Sequence, residues 1–341
     1  MTTDIERENI YQLKKIKTID DLLEEFQGNE QLQGEKLQFT GVENKDVYNS
    51  TTPFEYQGQQ YIIARVESPD RDTDYRSVFF TKSEGKWSPV KDIPSLNLQD
   101  PFISKINDQF IIGGVEVYSQ PLDEYPDNLN YATSFFQGRD LNKLEKFFQG
   151  PERMKDLRII RLANGKIGVF TRPGDIFTRS EDKIGGMIAY TEVDSLKDLK
   201  IENINKAEII ENLFNTTEWG GANALYLLEN DQIGVIGHIA RINSAGEKEY
   251  YALSLEFDPK QRQFSHKKII TTRDNFPEGK TKNIKYGDNR SADYLKHIIF
   301  PGGIKIKNNN ETYLYAGLSD SEEGKIRIDY PFSSPIKKNI S

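Results

Sequence analysis

The chemistry in this chain is carried by three groups of polar residues set among strand-like apolar runs. The first is Asp100. In Gln99-Asp100-Pro101-Phe102 an acid stands immediately before a proline and the opening strand of a hairpin pattern. A carboxylate seated on rigid backbone can hold a proton at a fixed place, as acid–base catalysis requires. Asp and Pro are also ordinary turn residues, so this motif alone does not separate the two roles. The second group is basic. Lys155-Asp156-Leu157-Arg158 opens one strand unit and Thr171-Arg172-Pro173-Gly174 closes it. A guanidinium matches phosphate oxygens through two parallel hydrogen bonds, so these unit ends read as an anion site. The third group suits sugar hydroxyls. Asp46 and Asn49 offer a carboxylate and an amide flanking Val47-Tyr48. Arg65 and Glu67 alternate along a strand and point to one side, with an internal ion pair as the plainer alternative. Glu218-Trp219-Gly220-Gly221-Ala222-Asn223 supplies an indole for stacking on a sugar face, an amide, and paired glycines that allow close backbone approach. His238 lies in an apolar strand, where a histidine is ordinarily a core residue; its candidacy rests on its neighbours.

Positioning these groups falls to a strand–turn–strand unit that recurs at a spacing of roughly fifty residues. Its turns are Gln57-Gly58, Asn107-Asp108, Asn164-Gly165, Asn230-Asp231 and Asn308-Asn309, each followed by a strand rich in Ile, Val, Tyr or Phe. Five such units predict an all-β fold, a five-bladed β-propeller whose inner blade ends converge on one axis. Ahead of them, Thr18-Ile19-Asp20-Asp21-Leu22-Leu23-Glu24-Glu25-Phe26 has apolar residues at helical spacing, Thr18 as N-cap and Gly28 as stop. The expected organisation is therefore a short N-terminal helical extension over residues 1–37 and a catalytic propeller over 38–341. The long loops Ser68–Arg76, Pro121–Leu129 and Arg273–Arg290 are where ligand contacts are expected on such a scaffold.

Composition removes several chemistries. The chain has no cysteine, which excludes disulfides, thiolate nucleophiles and Cys-based zinc sites, and its three histidines, His238, His266 and His297, are scattered, so no metal centre is expected. A net charge of −8 with dispersed Lys and Arg argues against nucleic acid. No apolar run reaches the length of a membrane span, and the charged N-terminus lacks a secretion core, so a cytosolic protein without a membrane partner is expected.

Taken in order, Tyr48-Asn49, Arg65-Val66-Glu67, Gln99-Asp100-Pro101, Lys155-Asp156, Asn164-Gly165-Lys166, Arg172-Pro173, Gly237-His238, Phe300-Pro301-Gly302-Gly303 and Ala316-Gly317-Leu318-Ser319-Asp320 form a pattern. It resembles the five-bladed propellers of glycoside hydrolase family 130, mostly mannoside phosphorylases. It is closer still to glycosyltransferase family 108, the mannogen-type β-1,2-mannosyltransferase/phosphorylases. The resemblance covers roughly residues 38–335. It implies reversible, inverting transfer of mannose between mannose 1-phosphate, or inorganic phosphate, and a mannooligosaccharide, with no other cofactor. On it Asp100 becomes the general acid, Lys155, Arg172 and His238 the phosphate site, and Asp46, Asn49, Arg65, Glu67 and Asp156 the mannosyl contacts, beside Trp219 and Asn223. Phosphate as nucleophile removes the need for the second carboxylate of an inverting hydrolase. The chain departs from family 130 at Gln99 and Phe102, where that family has charged neighbours of the acid, and at Thr171, where it has His.

Two other readings stay open at the level of sequence. A propeller glycosidase acting on arabinosides or fructosides needs a second carboxylate, for which Asp46, Glu67, Asp156 and Asp320 are the candidates. A non-catalytic carbohydrate-binding propeller needs none, since fold does not fix function. The nucleotide, the linkage and the oligomeric state have no signal in the sequence.

Overall fold

The computed structural model describes residues 16–26, 32–69, 74–118, 130–173, 186–282, 293–307 and 310–337. The chain enters through helix α1 (Ile19–Phe26) and the short strand β1 (Glu35–Lys36). As expected, Thr18 caps the helix: its Oγ1 accepts from the Asp21 backbone N–H at 3.2 Å while the Asp21 carboxylate accepts from the Thr18 N–H at 2.8 Å. Gly28, the anticipated stop, lies outside the described residues.

The rest is almost entirely β-sheet, in consecutive antiparallel runs. Strands β2 (Asp46–Tyr48), β3 (Phe54–Tyr56), β4 (Gln59–Glu67), β5 (Arg76–Ser83) and β6 (Lys86–Pro89) make one sheet. Strands β7 (Gln99–Ile106), β8 (Gln109–Tyr118), β9 (Asn130–Gly138) and β10 (Glu145–Gln149) make the next. A third holds β11 (Arg158–Arg161), β12 (Ile167–Thr171), β13 (Ala189–Val193) and β14 (Glu208–Ile209), with the one-turn helix α2 (Ile201–Ile204) between its last two strands. The run β15 (Trp219–Leu227), β16 (Ile233–Ile242), β17 (Lys248–Asp258), β18 (Gln263–Thr271) and the run β19 (His297–Ile306), β20 (Thr312–Leu318), β21 (Glu322–Ile328) join into one sheet. Their junction is a parallel pairing of Glu249 with His297 and Tyr250 with Ile298. Strand β1 pairs with β21, so Glu35 and Lys36, which the sequence assigned to the helical extension, lie at the edge of the last run.

Four of the five expected turns fall within the described residues and connect strands as the sequence places them. Gln57-Gly58 and Asn107-Asp108 are two-residue hairpin loops, with all four residues at positive φ, the geometry that matches strand twist. The strands around Asn164-Gly165 and Asn230-Asp231 also pair antiparallel, as do those flanking 308–309, which lie outside the described residues.

Packing between runs explains the unbroken apolar segments. Ile62 and Ile63 are both fully buried, yet Ile63 packs with Leu98 and with Ile112 of the second sheet while Ile62 packs with Phe80 and Trp87. Val235 likewise joins Phe170 and Tyr190 of the third sheet, and its neighbour Ile236 joins Ile299 and Leu314 of the last run. Successive strand side chains point to opposite faces, so a sheet sandwiched between two neighbours must be apolar at both parities. Each such side chain contributes about 1.5–3 kcal/mol of burial. The entry strands also touch in sequence: β7 packs on β4 and β11, β11 on β15, β15 on β19, and β2 on β20 and β21. These contacts return to their starting point, which brings the entry ends of distant strands together.

Candidate active site

Four polar residues near these entry ends adopt the left-handed backbone conformation: Asn49 (φ +49°), Asp100 (+49°), Asp156 (+56°) and Asp320 (+50°). Such conformations are uncommon outside glycine and are tolerated best by Asn and Asp. At Asp100 the cause is visible. The β7–β8 register shifts between Gln99 and Phe102, so Asp100 and Pro101 form a bulge that turns the carboxylate out of the ladder.

Asp100 is held by one oxygen. Its Oδ1 accepts from Asn49 Nδ2 at 2.7 Å and from Arg65 Nη1 at 3.2 Å. Arg65 Nε donates to Glu67 Oε2 at 2.9 Å and Nη2 lies 2.8 Å from the same oxygen, so the two side chains meet on one side of β4 as an ion pair. Glu67 Oε1 takes the Tyr48 hydroxyl and the Lys282 ammonium. Burial works against the charge of Arg65, but Tyr48, Asp100 and Asp320 outweigh it and hold its pKa above the usual arginine value. Burial also pushes the Tyr48 phenol well up, which keeps it a neutral donor. Asp320 faces the same group: burial raises its pKa, opposed by Arg65 and supported by Asp100.

A second cluster lies on the third and fourth runs. Asp156 Oδ2 accepts from Arg172 Nη1 at 2.6 Å and its Oδ1 lies 3.6 Å from Arg158 Nη2. Burial alone would raise the Asp156 pKa, but Arg172 and Arg158 bring it down to about 2. Arg158 is fixed in turn by the Asn223 carbonyl at 2.8 Å and lies 4.1 Å over the Phe102 ring, which ties this cluster to the bulge carrying Asp100. Lys155 lies 4.7 Å over Tyr131; burial lowers its pKa, while Asp100 and Asp156 favour its charge. His238 Nδ1 meets Asn223 Oδ1 at 2.8 Å, and its ring stacks on Tyr250 at 5.3 Å. Gly221 makes this approach possible, because a Cβ there would lie 2.8 Å from Asp156 Oδ2 and 2.9 Å from His238 Cε1.

The structure thus gathers Asn49, Arg65, Glu67 and Asp100 in one hydrogen-bonded group, and Asp156, Arg172, Asn223 and His238 in another. Three expectations need adjustment. Burial pushes the His238 pKa down to about 3, so a phosphate would meet a neutral imidazole there and not a cation. Trp219 is 5% exposed and sits edge-on to Tyr250, so it backs the His238–Tyr250 stack instead of presenting an open face. Asp46 lines a polar cleft with Lys36, Lys45, Lys280 and Glu322 that Asp100 does not line. Lys282 and Tyr250 join these groups without having been singled out, and Arg158 joins them from the Lys155-Asp156-Leu157-Arg158 motif. Tyr250 sits in an ordinary strand pattern and Lys282 in a polar loop, while Arg158 had a signal in its spacing from Asp156. Among the described residues, no group of three or more His, Asp or Glu is arranged to hold a metal, and no helix is long and apolar enough to cross a membrane.

The fold has solved counterparts. The chain is similar to MPT-4, a mannose phosphorylase from Leishmania mexicana solved with a phosphate ion, at 29% identity and a TM-score of 0.81, covering 94% of this chain and 96% of that one. It is similar to MPT-1, a GDP-Man-dependent mannosyltransferase from the same organism, at 30% identity and a TM-score of 0.82, covering 95% and 98%. A member of the GH130 family of mannoside phosphorylases shares the fold at 14% identity and a TM-score of 0.55, covering 87% of each chain. No curated protein sequence matches. Fold, site and these likenesses define an all-β enzyme and agree with the resemblance read from the motifs. The chain belongs to the family described as protein of unknown function DUF1861, whose model matches residues 24–334.

Proposed function

We propose that this enzyme is a mannoside phosphorylase or mannosyltransferase on a five-bladed propeller, moving mannose between a 1-phosphate and a β-1,2-mannooligosaccharide with inversion. The observation that carries this reading is the one-sided grip on Asp100. Asn49 and Arg65 both donate to Oδ1, which leaves Oδ2 as the oxygen to carry and pass on a proton. In phosphorolysis a phosphate oxygen attacks the anomeric carbon as the glycosidic bond breaks, and the Oδ2 proton passes to the departing sugar oxygen. The products are mannose 1-phosphate of inverted configuration and an oligosaccharide shorter by one unit. Lys155 and Arg172 supply positive charge for the phosphate, and His238 and Asn223 supply neutral contacts. Asn49, Arg65, Glu67 and Asp156 order the mannosyl unit directly or through one another. The likeness to MPT-4 and its phosphate ion supports a phosphate co-substrate, and the likeness to MPT-1 favours sugar-nucleotide donation as a second reading.

The test is to incubate the protein with mannose 1-phosphate and mannobiose, and to assay phosphate and chain length together. Phosphate release that requires the acceptor and accompanies chain extension is expected. Silence in that assay, with hydrolysis of aryl glycosides in the absence of phosphate, overturns the reading. Activity only with GDP-mannose selects the transferase.

A further inference from the structure

We propose that Lys282 is a positioning residue for the acid, acting on Asp100 through Glu67 and Arg65; this rests on the reading of Asp100 as the proton donor. Lys282 follows the loop after β18, more than 200 residues from Tyr48 in sequence, and its backbone N–H bonds the Ser319 carbonyl at 3.3 Å beside Asp320. Its side chain is 1% exposed and that of Glu67 is 0% exposed, so both are shut off from solvent. The ammonium sits on Glu67 Oε1, 3.0 Å from the Tyr48 hydroxyl that shares this oxygen.

The relay is geometric. Lys282 and Tyr48 pin one oxygen of Glu67 and thereby fix the plane of its carboxylate. The other oxygen accepts from Arg65 Nε at 2.9 Å and lies 2.8 Å from Nη2, so this edge of the planar guanidinium is held on Glu67 and the direction of the third nitrogen follows from it. That third nitrogen, Nη1, reaches Asp100 Oδ1 at 3.2 Å. Without Lys282, Glu67 keeps one neutral donor on Oε1 and the ion pair loses its fixed plane. A structural counter-ion would need only to balance charge, whereas a relay needs this carboxylate held at this angle.

The experiment compares Lys282→Met and Lys282→Arg with wild type by crystal structure and by steady-state kinetics in the mannose 1-phosphate assay. In Lys282→Met the Arg65–Asp100 contact should open beyond hydrogen-bond reach. Its kcat should fall roughly 10–100-fold, the scale of a small misplacement of a reacting group, while the KM for mannose 1-phosphate stays within about three-fold. Lys282→Arg should keep the contact and recover most of kcat. A Lys282→Met protein with the contact closed and wild-type kcat overturns the proposal. Should Lys282→Met fail to fold, Tyr48→Phe removes the other donor to the same oxygen; a smaller loss in the same direction supports the relay, and unchanged contact and kcat overturn it. If the wild-type enzyme shows no turnover, the reading of Asp100 fails separately. The contact alone then decides the relay: opening supports it, and persistence at 3.2 Å overturns it.

Discussion

Around Asp100 both oxygens of Glu67 are engaged, Oε1 by Tyr48 and Lys282 and Oε2 by Arg65, and among the described residues of this hydrogen-bonded group Asn49 Oδ1 is buried without a partner. Around Asp156, by contrast, His238 Nε2, Asn223 Nδ2 and Thr171 Oγ1 are all buried and unpartnered among the described residues. An unmet buried donor or acceptor costs about 1–3 kcal/mol, so folded proteins keep few of them. The difference between the halves teaches what each is for. On the proposed function, the half around Asp100 is the acid half, held in place before substrate arrives, as electrostatic catalysis requires. On the same reading, the open groups around Asp156 are where a phosphate would bind.

The comparison can be broken most forcefully at Asp156. Replacing it with Asn leaves Arg172 and Arg158 buried beside each other without their carboxylate, and should cost about 3–5 kcal/mol in urea unfolding. The pH dependence has a definite sign. Asp156 titrates lower in the fold than in the unfolded chain, so its stabilisation is present above the ordinary aspartate value of 3.8 and is lost as pH falls toward about 2. Asp156→Asn should flatten that acid limb, and an unchanged limb would show that the pairing with Arg172 is not formed in solution.

Ligand stabilisation separates the halves next. Phosphate at about one hundred times its Kd should stabilise the wild type by about 2.7 kcal/mol in thermal unfolding. Arg172→Ala and Lys155→Met should lose that increment. Equal loss on mutating Asn49 would contradict the division. Gly221→Ala should follow at about 1–3 kcal/mol, because its new Cβ presses on Asp156 and His238 in a packed site. The smallest effect belongs to the surface. Arg262 pairs with Glu208 with side chains 44% and 70% exposed, and Arg262→Ala should leave stability within about 0.5 kcal/mol.

What the sequence made legible follows from how local each signal is. The hairpin at Asn107-Asp108 is encoded by two residues that accept positive φ between apolar strands, and it forms there. The Arg65–Glu67 ion pair is likewise local, because alternation on a strand puts the two on one side. The pairing of β1 with β21 was not legible: two residues carry no periodicity, and their partner lies some 290 positions away. Lys282 was hidden for the same reason, being a lysine in a charged loop whose meaning depends on Glu67 across the fold. His238 shows a second limit: its charge state depends on burial beside Tyr250 and Phe300, which no spacing records.

The central claim, that Asp100 is the acid and the acid half is organised around it, is tested most directly by Asp100→Asn. Its rate of acceptor-dependent phosphate release from mannose 1-phosphate should be compared with that of the wild type, alongside the thermal unfolding of both. Asn keeps the oxygen that Asn49 and Arg65 engage but cannot supply a proton. The account predicts a folded protein with phosphate stabilisation retained and turnover reduced roughly 10²–10⁴-fold. Turnover at the wild-type level in a folded Asp100→Asn protein would contradict it.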